Sequence, residues 1–364
     1  MKYNFEHKIA SECKVHPKAF WSYVNSRTKS TSLIPELLKP DGSKTSSDSE
    51  KAEILNNFFS SVFTHDDEHE NAPQLETAAE DITPLCSIET TEEEVYKLLS
   101  SLDISKSAGP DGIHPRFLQE LKDSLTTPIT IIFNKSLQEA TVPTDWKSAK
   151  VVPIFKKGSR ASVGNYRPVS LTSVLCKLLE KIIRDRVENH LACHNLLSPY
   201  QYGFRKGRNC TTQLLTAMDS WTKSVNDGID TDIILLDFAK AFDKVPHTHL
   251  INKLHHYGIQ GNVKLWITDF LSHRQQQTCV NNNFSDFCDV TSGVPQGSVL
   301  GPTLFLLYIN DLPDCVSSDV LIFADDTKIF RKIHTPDDVI ILQKDLDSLF
   351  EWSSKWKLCF NASK

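Results

Sequence analysis

An α+β fold, with helices and antiparallel hairpins around one sheet, is predicted for this 364-residue chain by three patterns. Residues 320–330 place two apolar runs on either side of Asp325 and Asp326, which reads as a β-hairpin whose turn carries both acids. Asp232-Ile233-Ile234-Leu235-Leu236 is a second strand, bounded at its end by Asp237. Leu171, Val174, Leu175, Leu178, Leu179, Ile182, Ile183, Val187 and Leu191 recur at helical spacing, as do Val339, Leu342, Leu346 and Leu349 behind the Thr335-Pro336 start signal.

The remaining elements follow the same rules. Residues 20–24 and 53–63 are helical by pattern, with a turn at 39–43 between them. Residues 65–80 are acidic and poor in apolar side chains, a linker by composition. Thr91 and Glu94 form a capping-box pattern ahead of Val95, Leu98, Leu99 and Leu102. A turn at 108–112 precedes helical stretches around Phe117 and Ile131. Residues 150–155 read as a strand that ends in the basic turn Lys156-Lys157-Gly158. The Gly293-Val294-Pro295-Gln296-Gly297-Ser298 turn leads into an apolar helix over 299–309.

Composition excludes several classes. With 40% hydrophobic and 24% charged residues the chain is that of a globular protein. It contains no apolar run long enough to span a bilayer and no secretory apolar region at its start, so no membrane partner is expected. An intracellular location is predicted, with no compact basic run to divide nucleus from cytoplasm. Nine singly placed cysteines without a Cys-x-x-Cys pair give neither a disulfide framework nor a zinc site. The helical spacing of His190, Cys193 and His194 lacks a second ligand half and reads as an ordinary helix end.

The net charge of −6 conceals an asymmetry. Residues 65–96 hold eleven acids and no Lys or Arg, which leaves +5 on the rest. Residues 147–208 hold thirteen basic residues against three acids, a segment suited to phosphates.

Three carboxylates at strand ends, Asp237, Asp325 and Asp326, suit divalent cations, because Mg2+ prefers carboxylate oxygens and keeps positions for substrate phosphates. Such acids alone do not separate nucleases, phosphatases and polymerases. The chain has no P-loop, no His-Glu-x-x-His helix and no Gly-x-Ser-x-Gly elbow. A basic segment upstream of the acids instead points to a polyanionic substrate.

Leu236-Asp237-Phe238-Ala239-Lys240-Ala241-Phe242-Asp243, then Gly293-Val294-Pro295-Gln296-Gly297, then Phe323-Ala324-Asp325-Asp326 resemble, in order and spacing, the three palm motifs of reverse transcriptases. Lys106-Ser107-Ala108-Gly109-Pro110-Asp111-Gly112, Asn165-Tyr166-Arg167-Pro168 and Gln201-Tyr202-Gly203-Phe204-Arg205 add a resemblance to non-LTR retrotransposon polymerases of the jockey and CR1 type. The resemblance covers roughly residues 90–364, and implies the fingers and palm of a right-hand polymerase with an antiparallel palm sheet packed on helices. It divides the chain into a helical segment at 1–64 similar to the connector between endonuclease and polymerase, the linker at 65–80, and fingers and palm at 81–364, with core motifs from about 137. The thumb is expected to be missing, as is the endonuclease, as in a piece of a longer polyprotein.

The resemblance implies a role for each matched position. Asp237, Asp325 and Asp326 are the expected catalytic and metal-binding acids for two Mg2+ ions, with Mn2+ as the alternative. Phe323 stands where Tyr is more frequent. The amides of Phe238 and Ala239, a lysine of the Lys156-Lys157 pair, Arg167 and Gln296 are expected at the nucleotide. Phe242 is expected against the sugar, with core packing as its second role. Arg205, Lys206, Arg208 and Gly297 are expected at the template, although a solvated loop explains the first three nearly as well. The implied partners are an RNA template, a DNA primer and deoxynucleoside triphosphates; nothing fixes the oligomeric state. Residues 356–364 resemble the beginning of the family's next motif, in which a lysine near the end can approach the nucleotide. A catalytically silent, truncated nucleic-acid-binding remnant is the alternative to an active RNA-directed DNA polymerase.

Overall fold

The computed structural model describes residues 34–64 and 82–361, with isolated positions at 7, 9–11, 20, 23 and 73. Most of the 20–24 helix, the 65–80 linker and Lys364 lie outside the described residues. The elements are Asp48–Ser60 (α1), Glu92–Ser100 (α2), Pro115–Glu120 (α3), Lys122–Glu139 (α4), Ser148–Phe155 (β1), Tyr166–Leu171 (β2), Val174–Cys193 (α5) and Cys210–Asn226 (α6). They continue with Asp230–Leu236 (β3), Ala241–Lys244 (α7), His247–His256 (α8), Gly261–Leu271 (α9), Arg274–Val280 (β4), Asn283–Phe284 (β5) and Cys288–Val290 (β6). Gly301–Tyr308 (α10), Asp319–Phe323 (β7), Asp326–Ile333 (β8) and Pro336–Lys355 (α11) complete them.

Two sheets replace the single sheet expected. One is antiparallel, in the order β3-β8-β7. The other runs β2-β1-β4-β5, with β6 also on β4, and its β1–β4 pair is parallel. Strand β4, Arg-Gln-Gln-Gln-Thr-Cys-Val, escapes a hydrophobic pattern because three of its five buried positions are polar. Arg274, Gln276 and Thr278 are all buried. Side-chain partners replace apolar alternation: the Thr278 hydroxyl donates to Asn56 of α1 at 3.1 Å, its amide donates to Ser285 at 2.9 Å, and Arg274 donates to the Phe270 carbonyl at 3.0 Å. Helix α1 belongs to this sheet, since Leu55 and Phe59 share a cluster with Val151, Tyr166 and Val280.

Two start signals differ from expectation in detail. Thr91 accepts the Glu94 amide at 3.3 Å, but the Glu94 carboxylate turns to the Thr90 hydroxyl and Arg186 rather than closing the box. The α5 periodicity begins three residues early, because Leu171 closes β2 and Ser173 caps the helix. At α11 the Thr335 and Asp338 side chains form a full capping box.

The β3-β8-β7 sheet has helices on both faces. Val320, Ile322 and Ile329 enter the main core, while Leu321 and Phe330 meet Ala217 and Trp221 of α6. Asp345 of α11 accepts the Ser317 and Ser318 amides, both at 2.9 Å, and so ties that helix to the entry of β7.

A buried cation joins three helices behind this sheet. Lys253 of α8 is fully buried, donates to the Tyr308 carbonyl and pairs with Asp311 at 2.5 Å. Its ammonium lies 3.6 Å from the Trp356 ring centre, within a cage shared with Tyr308 and Trp352. Burial pushes its pKa down to about 8 against the pull of Asp311. A buried ion pair costs desolvation, and removing one partner strands the other. Asp311→Asn is therefore expected to destabilise by about 3 kcal/mol in chemical denaturation, and the joint change Lys253→Met/Asp311→Asn by far less. Because the folded pKa lies below the unfolded one, the cost of charging Lys253 is complete below about pH 8 and fades as pH rises toward 10.5. The unaltered chain should gain stability relative to Lys253→Met over that interval.

Candidate active site

Antiparallel register brings the acids together. Leu236 pairs with Thr327 and Phe323 with Asp326, so extending the β3–β8 register by one residue sets Asp237 opposite Asp326. The loop of the hairpin is Ala324-Asp325 and not Asp325-Asp326, since Asp326 already pairs as the first residue of β8. Ala324 takes φ +54°, the left-handed conformation that a two-residue hairpin favours. Asp325 is thus at the tip, one residue from the Asp326 and Asp237 pair.

The turn is held from beneath by a segment whose fixing role the sequence did not reveal. Gln201, almost fully buried, accepts the Ala324 amide at 2.9 Å and the Gly203 amide at 2.7 Å. Tyr202 donates to the Ile322 carbonyl and Ile322 donates to that of Tyr200, a parallel bridge along β7. A Cβ at Gly203 would stand 2.4 Å from the Ala324 nitrogen, so the close approach requires glycine. The same segment occupies its own arginines: Arg205 donates to the Ser198 carbonyl at 2.5 Å, and Arg208 donates to those of Pro199 and Gln201 while lying over the Tyr202 ring. Lys206 is exposed.

Asp237 has a companion in the last described stretch. Phe238 and Phe360 form an antiparallel bridge with stacked rings 4.6 Å apart. The Asn361 amide donates to the Asp237 carbonyl at 2.7 Å, and its side chain reaches the Asp237 carboxylate at 3.2 Å. The Ala239 amide, expected at the nucleotide, donates instead to the Cys359 carbonyl at 2.9 Å. Among the described residues no three His, Cys, Asp or Glu side chains converge as a ready metal cage. Carboxylates adjacent by register nonetheless suit Mg2+, which takes one or two of them and completes its shell with water and phosphate.

The Gly293 to Gly297 turn joins α7 to β2. Its Gly293 and Val294 amides donate to the Val245 and Phe242 carbonyls, and the Gln296 carbonyl accepts the Ser170 amide of β2 at 2.7 Å. Gly297, at φ +119°, would place a Cβ 2.4 Å from the Ser170 oxygen. Beyond it, buried Glu180 of α5 accepts the Val299 and Leu300 amides. The Gln296 side chain donates to buried Asp243 at 2.7 Å, a carboxylate that composition did not single out. Burial raises the Asp243 pKa to about 6, opposed by the Gln296 hydrogen bond and by Lys240 and Arg167. An ionised carboxylate only accepts, so Asp243 fixes the Gln296 amide with its NH2 inward and its oxygen away. Phe242 stacks on Phe305 at 4.4 Å and meets Phe204 edge-on, which gives it the packing role expected as its second.

The β1–β2 hairpin supplies the cations. Ile154 pairs with Arg167, and Lys156 donates its amide to Asn165, so Lys156, Lys157 and Arg167 share one end, all exposed. Their field reaches α7: burial first, then Lys156 and Arg167, hold the Lys240 pKa below its usual range against Asp243. Lys240 itself was absent from the expected set. His190 and His194 bond to the Tyr257 and His190 carbonyls, as residues of a helix end do.

The family model for reverse transcriptase (RNA-dependent DNA polymerase) matches residues 154–364. The chain belongs to the reverse transcriptase family. It is 27% identical to a probable RNA-directed DNA polymerase from transposon BS of Drosophila melanogaster, over 99% of this chain and 41% of that relative. It is 30% identical to the RNA-directed DNA polymerase from mobile element jockey of the same species, over 89% of this chain and 37% of the relative. A type-1 retrotransposable element R1 polyprotein of Bradysia coprophila is 28% identical over 65% of the chain. The chain therefore spans about two-fifths of the first two relatives, and its likeness is to polymerases of jockey-type mobile elements. The mixed helices and sheets agree with a reverse transcriptase domain, and no described helix is long and apolar enough to cross a membrane.

Gly203→Ala is expected to lower stability by about 2–4 kcal/mol, read as a fall in melting temperature, because the collision is with backbone. For Asp243 the folded pKa exceeds the unfolded one, so its ionisation costs stability progressively from about pH 4 to about pH 6. Against Asp243→Asn, the unaltered chain should lose about 3 kcal/mol across that window in denaturant titrations.

Proposed function

We propose that this chain is the fingers and palm of an RNA-directed DNA polymerase that extends a DNA primer on an RNA template. The observation that carries this reading is the strand register that sets Asp237 opposite Asp326, the neighbour of Asp325 in the turn, within the residues matched by the reverse transcriptase family. The β3-β8-β7 sheet is the palm and the β2-β1-β4 sheet the fingers, with residues 34–64 packed onto the latter. Together these fill the 81–364 unit and its leading segment.

Asp237, Asp325 and Asp326 would hold Mg2+, two ions, with Mn2+ as substitute. Bound there, the metal neutralises phosphate charge and lowers the pKa of the attacking hydroxyl. Lys156 or Lys157 and Arg167 bind the triphosphate; the guanidinium forms paired hydrogen bonds and the ammonium acts as a compact charge. Gln296, oriented by Asp243, presents its oxygen to a hydroxyl donor of the nucleotide or template. Phe238 and Ala239 line the nucleotide side of Asp237, and Phe242 meets the sugar. Arg205, Lys206, Arg208 and Gly297 lie along the template, the arginines using N–H groups beyond those given to the loop.

In the reaction the primer 3′-hydroxyl gives its proton to solvent water and its oxygen attacks the α-phosphorus. The bond from that phosphorus to the bridging oxygen breaks, and pyrophosphate leaves with the electron pair. Alignment and charge neutralisation carry most of the acceleration.

Primer extension on an RNA template with Mg2+ tests the assignment. Asp237→Asn and Asp325→Asn are each expected to abolish extension, by a factor above about 1,000, with unchanged circular dichroism. EDTA should abolish it in the unaltered chain. Undiminished extension by either variant would falsify the site.

A further inference from the structure

We propose that Thr64, at the end of the leading segment, is a positioning residue that fixes α7 and, through α7, the groups that meet the nucleotide sugar and orient Gln296. The proposal rests on the polymerase reading and extends it to a residue upstream of the matched 154–364. Helix α7 carries Phe242, assigned to the sugar, and Asp243, which accepts the Gln296 amide at 2.7 Å. Whatever holds α7 therefore holds both.

Four residues do not make a helix that stands alone. The turn closes from the Lys244 amide to the Lys240 carbonyl at 3.2 Å, and a first turn fixes several dihedrals for one hydrogen bond. Its start is strained as well, since Lys240 takes φ +54°. The last carbonyls of any helix lack helical partners and need donors from elsewhere. Here four successive carbonyls receive them. Phe242 accepts the Val294 amide and Val245 the Gly293 amide, both at 2.8 Å. Asp243 accepts the Ser292 hydroxyl at 2.7 Å, and Lys244 accepts the Thr64 hydroxyl at 2.9 Å.

Thr64 governs two of these four bonds. Besides its own, its amide donates to the Ser292 hydroxyl at 2.8 Å, which leaves the hydroxyl hydrogen for the Asp243 carbonyl. The segment that brings Thr64 there is anchored independently of α7. Leu55 and Phe59 of α1 pack with Val151, Tyr166 and Val280, and three residues, 61–63, then link α1 to Thr64. On the way the Phe58 ring lies 5.1 Å from the Lys240 ammonium, at the strained start of α7. Both ends of the one-turn helix thus meet the leading segment. The acids at the end of the β3-β8-β7 sheet are set by strand pairing instead, so a loosened α7 changes how the nucleotide is held and leaves the acids in place.

Amide hydrogen exchange on the whole chain, without primer, template or nucleotide, reads the anchor directly. In Thr64→Val the Gly293 and Val294 amides, which bond to α7, should exchange about fivefold faster, and Thr64→Ser should return them to the native rate. In primer extension Thr64→Val should raise the KM for a deoxynucleotide about fivefold while kcat changes less than about twofold. Its preference for deoxynucleotide over ribonucleotide should narrow by a similar factor, and Thr64→Ser should restore both values. Unmoved KM and preference in Thr64→Val overturn the role whatever happens to kcat, because a folding defect lowers only the active fraction. Native exchange at Gly293 and Val294 overturns it as well. Faster exchange in Thr64→Val, when the unaltered chain extends no primer, refutes the polymerase reading and upholds Thr64 as the anchor of α7.

Discussion

The register of β3 against β8 is the constraint on which the rest depends. Because side chains alternate along a strand, a slip of one residue would send Ile329 outward and remove Asp237 from Asp326. Both faces of the sheet defend the register: Val320, Ile322 and Ile329 are locked in the core, and Leu321 and Phe330 under α6. Gln201 then secures the only part that strand pairing leaves loose, the Ala324-Asp325 turn.

A second group of constraints converges on the Gly293–Gly297 turn from parts of the chain that are distant in sequence. Ser170, Val245, Phe242, Asp243 and Glu180 each bind it or its continuation. The turn thereby couples β2 to α7 and α5, and the buried carboxylates on either side act as fixed acceptors rather than as reagents. Asp243 illustrates the exchange involved: its burial costs stability as it ionises, and in return the Gln296 amide has one orientation.

How legible this was in the sequence depended on what each residue packs against. The hairpin, β3 and the long helices declared themselves because apolar side chains repeat at the period of the element. Strand β4 did not, since Gln276 and Thr278 occupy its buried face, and Thr278 is satisfied by Asn56, 222 residues away, and by Ser285 across the following turn. The acids were legible as a set, but the hairpin loop was placed one residue late, because two adjacent aspartates look equally suited to a turn. Gln201, Asp243 and Lys240 went unassigned as individuals: their roles arise from contacts across 123 residues, across 53, and from a field shared with the β1–β2 tip. Arg205 and Arg208 show the converse, as cations that suggest a ligand and bind first to their own loop.

The parallel pairing of Ser148 with Gln275 has a consequence in time. The β1–β2 hairpin emerges from the ribosome well before the strand that completes its sheet. At ordinary synthesis rates of about 5–20 residues per second, the wait for β4 is roughly 6 to 25 s. During that interval one edge of β1 carries open backbone groups, and the apolar face that Phe59 and Leu55 share with Val151 lacks Val280. The sheet that bears Lys156, Lys157 and Arg167 is thus open to wrong pairing while it is being made.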